Sequence, residues 1–159
     1  QGGAIHRSGD ATVNIWHSSL EYNSALEGGG FYLKGGSSNM SLTRLVSNNG
    51  RSKGGGLMIE GMEMLTLDNC TLQGNDANTS GGGVYVSGEA VLQARDNLYS
   101  NNSARGNLTL AGGGGALYIN DTAVVTSTND QYNNNQATQG YGGAVYIRTA
   151  ANMASTNSS

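Results

Sequence analysis

Apolar residues in this chain come in short alternating bursts, and a pair of glycines precedes each one. The phrase appears at Gly2-Gly3-Ala4-Ile5, Gly28-Gly29-Gly30-Phe31, Gly54-Gly55-Gly56-Leu57, Gly81-Gly82-Gly83-Val84, Gly114-Gly115-Ala116-Leu117 and Gly142-Gly143-Ala144-Val145. Successive starts lie 26, 26, 27, 33 and 28 residues apart. Self-similarity at such a period predicts a solenoid, with each repeat forming one coil that buries its apolar face against the next.

Period-two alternation after the glycines predicts a half-buried strand. The inward positions are Ile5/Arg7, Phe31/Leu33, Leu57/Ile59, Val84/Val86, Leu117/Ile119 and Val145/Ile147, apolar except for Arg7. Between them lie His6, Tyr32, Met58, Tyr85, Tyr118 and Tyr146. Stacked coil on coil, these predict an outward ladder of mostly aromatic rings, with Tyr32, Tyr85, Tyr118 and Tyr146 as its members. A second strand is expected at Val13/Ile15, Met40/Leu42, Leu65/Leu67, Leu92/Ala94 and Val125. A third ends in an apolar-x-x-Asn phrase that closes on Asn23, Asn75, Asn102 and Asn135. In the second coil either Asn48 or Asn49 fits, and Asn48 is favoured because it leaves small Gly50 at the turn. An inward Asn at one corner of every coil can pair backbone groups of adjacent coils that would otherwise be buried and unsatisfied.

Three short strands per turn with recurrent Gly and Asn corners predict an all-β, right-handed parallel β-helix. Residues 1–159 would form one segment of about five and a half coils, each about 27 residues long. The longest repeat holds extra residues around Arg105-Gly106-Asn107-Leu108-Thr109-Leu110-Ala111, expected as a projecting loop. Neither end reads as a polar cap, so the expected neighbours are adjoining coils of a longer chain or a second copy stacked end to end. Arg7, inward in the first coil, suggests an edge there.

Composition narrows the function. Gly is 26 of 159 and Pro 0, with the glycines clustered at a period, which excludes collagen and a disordered linker. Only 12% of residues are charged and the net charge is −3, so there is no electrostatic footprint for nucleic acid or an anionic membrane. Apolar runs are too short to span a bilayer. A single cysteine, Cys70, excludes an internal disulfide framework. Seven asparagines, Asn39, Asn69, Asn78, Asn101, Asn107, Asn120 and Asn157, fit the N-glycosylation triplet, which points to an extracellular protein carrying covalent N-glycans.

The pairing of Gly-Gly-Ala-aliphatic with Phe-x-x-Asn resembles the repeat of polymorphic outer-membrane proteins and related β-helical surface proteins, over essentially the whole chain. The chain departs from that repeat at Gly30, Gly56 and Gly83, where Ala is usual, and in using Leu, Tyr or Val for the Phe. The resemblance implies display at the cell surface and adhesion, and it carries no catalytic residues.

Candidate chemistry is sparse. Polysaccharide cleavage, the runner-up function, needs clustered carboxylates or a calcium site. Asp68 and Asp96 are the acids nearest in phase, with Arg95 read as a surface ion-pair partner. His6 and His17 lie on different parts of the coil, His17 beside Trp16. Cys70 shares its position with Ser18, Asn97 and Asp130 and reads as a small, half-buried side chain. The aromatic ladder reads either as stabilising ring-on-ring packing or as a platform for surface carbohydrate. No cofactor or metal is implied. These readings predict a non-enzymatic structural or adhesive glycoprotein, with filament assembly as one form of it.

Overall fold

The computed structural model describes residues 1–106 and 112–159. It is a parallel β-solenoid of about 5 turns with roughly 27 residues per coil. Each strand pairs in parallel with its equivalent one coil away, giving one ten-stranded and two five-stranded sheets. The glycine-led strands stack in the expected register, with Ile5, Phe31, Leu57, Val84, Leu117 and Val145 in one row. From Phe31 to Val125 the inward residues are buried in a single cluster running along the axis. Rows of identical depth follow from the two-residue pleat, since every coil presents the same parity to the interior.

The strands lie in three sheets, and the first, fourth and fifth coils each hold four strand segments, two of them in the largest sheet. In the fourth coil these are Val84–Val86, Val91–Arg95, Leu98–Ser100 and Ser103–Ala104. In the second and third coils the first two segments merge into Phe31–Ser41 and Leu57–Asp68. The merged strands do not match residue for residue, because the register shifts between Lys34 and Gly36. The second coil therefore turns Ser38 and Met40 inward, against Val13 and Ile15. This corrects the expected Met40/Leu42 pair: Leu42 is 41% exposed and turns the next corner.

Corners are made by single residues in the left-handed region. After the second strand, His17, Leu42, Asn69, Asp96, Asn129 and Asn157 all have φ of 46–56°. Asn and Asp tolerate this conformation better than other side chains.

The inward Asn ladder holds the next corner. Asn48 pairs with Asn75 and Asn75 with Asn102, each Nδ2 donating to the following Oδ1 at 3.0 Å. The Asn75 Nδ2 also donates to the Leu45 carbonyl at 2.9 Å. Asn23 and Asn135 extend the row at either end. Asn49 pairs in register with Asp76, so the ladder member of the second coil is Asn48.

Residues 107–111, including Asn107 and most of the expected loop, lie outside the described residues.

Candidate functional site

The aromatic row forms, but as a covered ladder rather than an open platform. Tyr32, Tyr85 and Tyr118 are 1%, 4% and 3% exposed. With Met58 they make a second apolar cluster apart from the axial core, and Tyr146 in the last coil packs against it half-buried. The cause is the preceding corner. Gly28, Gly54 and Gly142 have φ of 60–65°. A Cβ at Gly54 would sit 2.9 Å from the Met58 Cβ, so the chain folds back onto its own strand. Ring faces are also used up inside the ladder: Tyr85 stacks on Tyr118 at 5.1 Å and His6 on Tyr32 at 4.9 Å. A sugar would need those faces.

Beside this ladder runs a shallow groove lined by Glu27, Lys34, Lys53, Glu60, Tyr85 and Asp121, among others. Two of its charges form an ion pair and a third rests on a ring. Lys34 Nζ donates to Glu60 Oε1 at 2.7 Å, and Lys53 Nζ lies 4.9 Å from the Tyr85 ring centroid. Burial, followed by the charge of Glu60, raises the pKa of Tyr32.

A second groove, of about 340 Å³, lies on the outer face of the second strands between Thr66, Asp68, Gln93, Arg95, Thr126 and Thr128. It contains Asp68, one of the two acids singled out from the sequence; Asp96 directly follows the lining residue Arg95. Arg95 Nε donates to Asp68 Oδ1 at 3.0 Å and lies 3.5 Å from Asp96 Oδ2. Asn129 Nδ2 donates to Asp96 Oδ1 at 3.1 Å. Arg95 thus stands between the two carboxylates.

Most buried polar chemistry is spent inside the coils. A second ladder runs through the Cys70 position: Cys70 N donates to Asn97 Oδ1 at 2.8 Å, and Asn97 Nδ2 to Asp130 Oδ1 at 2.9 Å. Thr43 joins it by accepting from Ser18 N at 3.3 Å. The sequence aligns these positions, but their varied side chains hide the ladder. Burial raises the pKa of Asp130, opposed by hydrogen bonds from Ser127 and Asn97. Cys70 is 2% exposed, and burial raises its pKa, so its thiol is not activated as a nucleophile.

Arg7 is held inside the coil by a buried counter-charge. It is 6% exposed and forms an ion pair with Glu63, two coils away, which is 1% exposed. It also donates to Ser38 Oγ at 2.9 Å and to the Gly9 carbonyl at 2.7 Å. The pair is possible because Gly36 stands between them in the second coil, where a Cβ would lie 2.9 Å from Arg7 Nη1. Glu63 went unnoticed in the sequence, since a long reach across one coil leaves no periodic signal.

His6 and His17 are far apart in role: His6 caps the aromatic ladder, and His17 turns a corner edge-on to Trp16 at 4.6 Å. Of the glycosylation triplets, Asn39, Asn69, Asn78, Asn101 and Asn157 are exposed and Asn120 is half-buried. Among the described residues, no group of three or more His, Cys, Asp and Glu could hold a metal ion. Among them too, no helix is long and apolar enough to cross a membrane.

Comparison with protein-family models, with curated proteins and with solved structures finds no match. The likeness to polymorphic outer-membrane protein repeats therefore rests on the repeat phrases alone.

Proposed function

We propose that this chain is a non-enzymatic structural or adhesive β-helix element displayed outside the cell, stacking axially on further coils or on another copy of itself. One observation carries the reading: buried polar side chains are committed to coil-to-coil ladders, while the candidate catalytic acids are bridged by Arg95. The glycosylation triplets and the surface-protein resemblance support the location. A rigid scaffold needs interior order and places few demands on its surface chemistry.

The groove at Thr66, Asp68, Gln93 and Arg95 favours a second reading, carbohydrate binding without cleavage. Hydroxyl, amide and guanidinium groups at coil spacing suit a sugar chain, although the groove has no aromatic wall.

Incubation with acidic and neutral polysaccharides, with and without calcium, tests the non-enzymatic claim. No reducing or unsaturated ends should appear. Release of such ends that disappears in Asp68→Asn and Asp96→Asn would overturn it.

A further inference from the structure

Six of the seven glycosylation triplets fall on described residues, and the fold treats them in two ways. Asn69, Asn101 and Asn157 turn coil corners, with φ of 50°, 54° and 52°, and are exposed. Among the described residues, nothing hydrogen-bonds to their side-chain amides. At the other three, the amide nitrogen is already a donor. Asn39 Nδ2 donates to Asn14 Oδ1 at 2.9 Å, Asn78 Nδ2 to the Arg51 carbonyl at 2.8 Å, and Asn120 Nδ2 to Asp121 Oδ1 at 2.9 Å. Asn39 also sits mid-strand between Asn14 and Thr66 of the neighbouring coils, where a sugar would lie across both.

We propose that Asn69, Asn101 and Asn157 carry the N-glycans of the folded protein and that Asn39, Asn78 and Asn120 stay bare. The inference deepens the extracellular reading and rests on it. The chemistry requires an oligosaccharide donor carried on a lipid diphosphate. Nδ2 attacks the anomeric carbon, the C–N bond forms and the C–O bond to diphosphate breaks. The lipid diphosphate leaves, and the amide proton passes to a base of the transferring enzyme. Transfer to a nascent chain precedes folding, so the fold acts afterwards as a filter. A glycan at Asn39, Asn78 or Asn120 competes with an existing hydrogen bond and crowds its neighbours, which depletes such chains from the folded pool. At the three corners a glycan points into solvent and displaces no bond.

The arrangement also decides which surface is shielded. Asn69 and Asn157 belong to one corner row, three coils apart, or roughly 14 Å along the axis. Asn101 lies on the next corner. These corners bracket the five-stranded sheet that includes Thr71–Gln73, Leu98–Ser100 and Gln131–Asn133. Asn120 lines the groove beside Lys34, Glu60 and Tyr85, and its bare state keeps that groove open for contact.

The test is secretion from a glycosylating eukaryotic host, isolation of the folded fraction, and site-by-site occupancy by mass spectrometry. Asn69, Asn101 and Asn157 should be occupied in most molecules, and Asn39, Asn78 and Asn120 in few. Equal occupancy of the two groups, a reversed order, or no glycan at all would overturn the inference. Material from the native source separates the two claims. If it is bare while host-made protein keeps the split, the glycoprotein reading fails and the ranking of sites stands.

Discussion

Gly82→Ala abolishes cooperative folding, while Gly143→Ala leaves it nearly intact. Both glycines are second in their phrase, but they meet different surroundings. A Cβ at Gly82 would lie 2.3 Å from the Ser103 carbonyl oxygen and 2.5 Å from the Gly115 carbonyl oxygen. Both obstacles are backbone, Ser103 at the far end of the same coil and Gly115 in the next, so no side chain can swing aside. Relief requires separating two coils and breaking their ladder bonds. The expected cost exceeds about 4 kcal/mol, in the range reserved for severe core disruption, against a total stability of roughly 5–15 kcal/mol for an ordinary domain. Among the described residues, the only atom within 4 Å of a Cβ added at Gly143 is the Asn135 carbonyl oxygen, at 3.3 Å. Denaturant unfolding followed by circular dichroism reads the difference. Equal midpoints for the two variants would mean that the coils do not approach as closely as described.

Glu63→Ala alone should be the second severe change, and pairing it with Arg7→Leu should repair most of the damage. Removing Glu63 leaves the Arg7 guanidinium buried without its counter-charge, which typically costs about 3–5 kcal/mol. Arg7→Leu alone strands the Glu63 carboxylate and should cost a similar amount. The double variant replaces both with residue types that other coils already use. Arg7 shares its row with Leu33 and Ile59. Glu63 precedes Met64 as Ala90 precedes Val91 and Ala123 precedes Val124 in the aligned strands. Stability of the double variant should return to within about 1–2 kcal/mol of the parent, as when apolar residues replace a buried ion pair. Some deficit remains, because the smaller side chains leave a void beside Gly36. Purely additive losses in the double-mutant cycle would show that the two charges do not meet inside the coil.

The buried pair also illustrates what the sequence could and could not express. Period alone revealed the coils, the inward apolar row and the Asn23–Asn135 ladder, because each repeats one residue type at one phase. Arg7–Glu63 breaks that logic: two unlike residues, at different phases, meet through a gap left by a glycine in the coil between. The Cys70 ladder was visible as an alignment but not as a network, because Ser, Thr, Cys, Asn and Asp can each serve a shared hydrogen-bonding position. The covered tyrosines show a different limit. Alternation establishes that Tyr32 and Tyr85 leave the main core, yet whether that face meets water depends on the path of the preceding glycine corner. Register in the second coil failed for a local reason, the shift between Lys34 and Gly36, which moved Leu42 from strand to corner. Of the candidate functional surface, the sequence supplied Asp68, Arg95 and Asp96. Only the fold showed that Arg95 stands between the two acids.

The proposed role depends on coils adding along one axis, and electron microscopy of native material across a range of concentrations tests this most directly. Straight, unbranched fibres one coil wide, with an axial repeat of about 25 Å for five stacked coils, are the predicted result. Dispersed particles no longer than a single column at every concentration would contradict it.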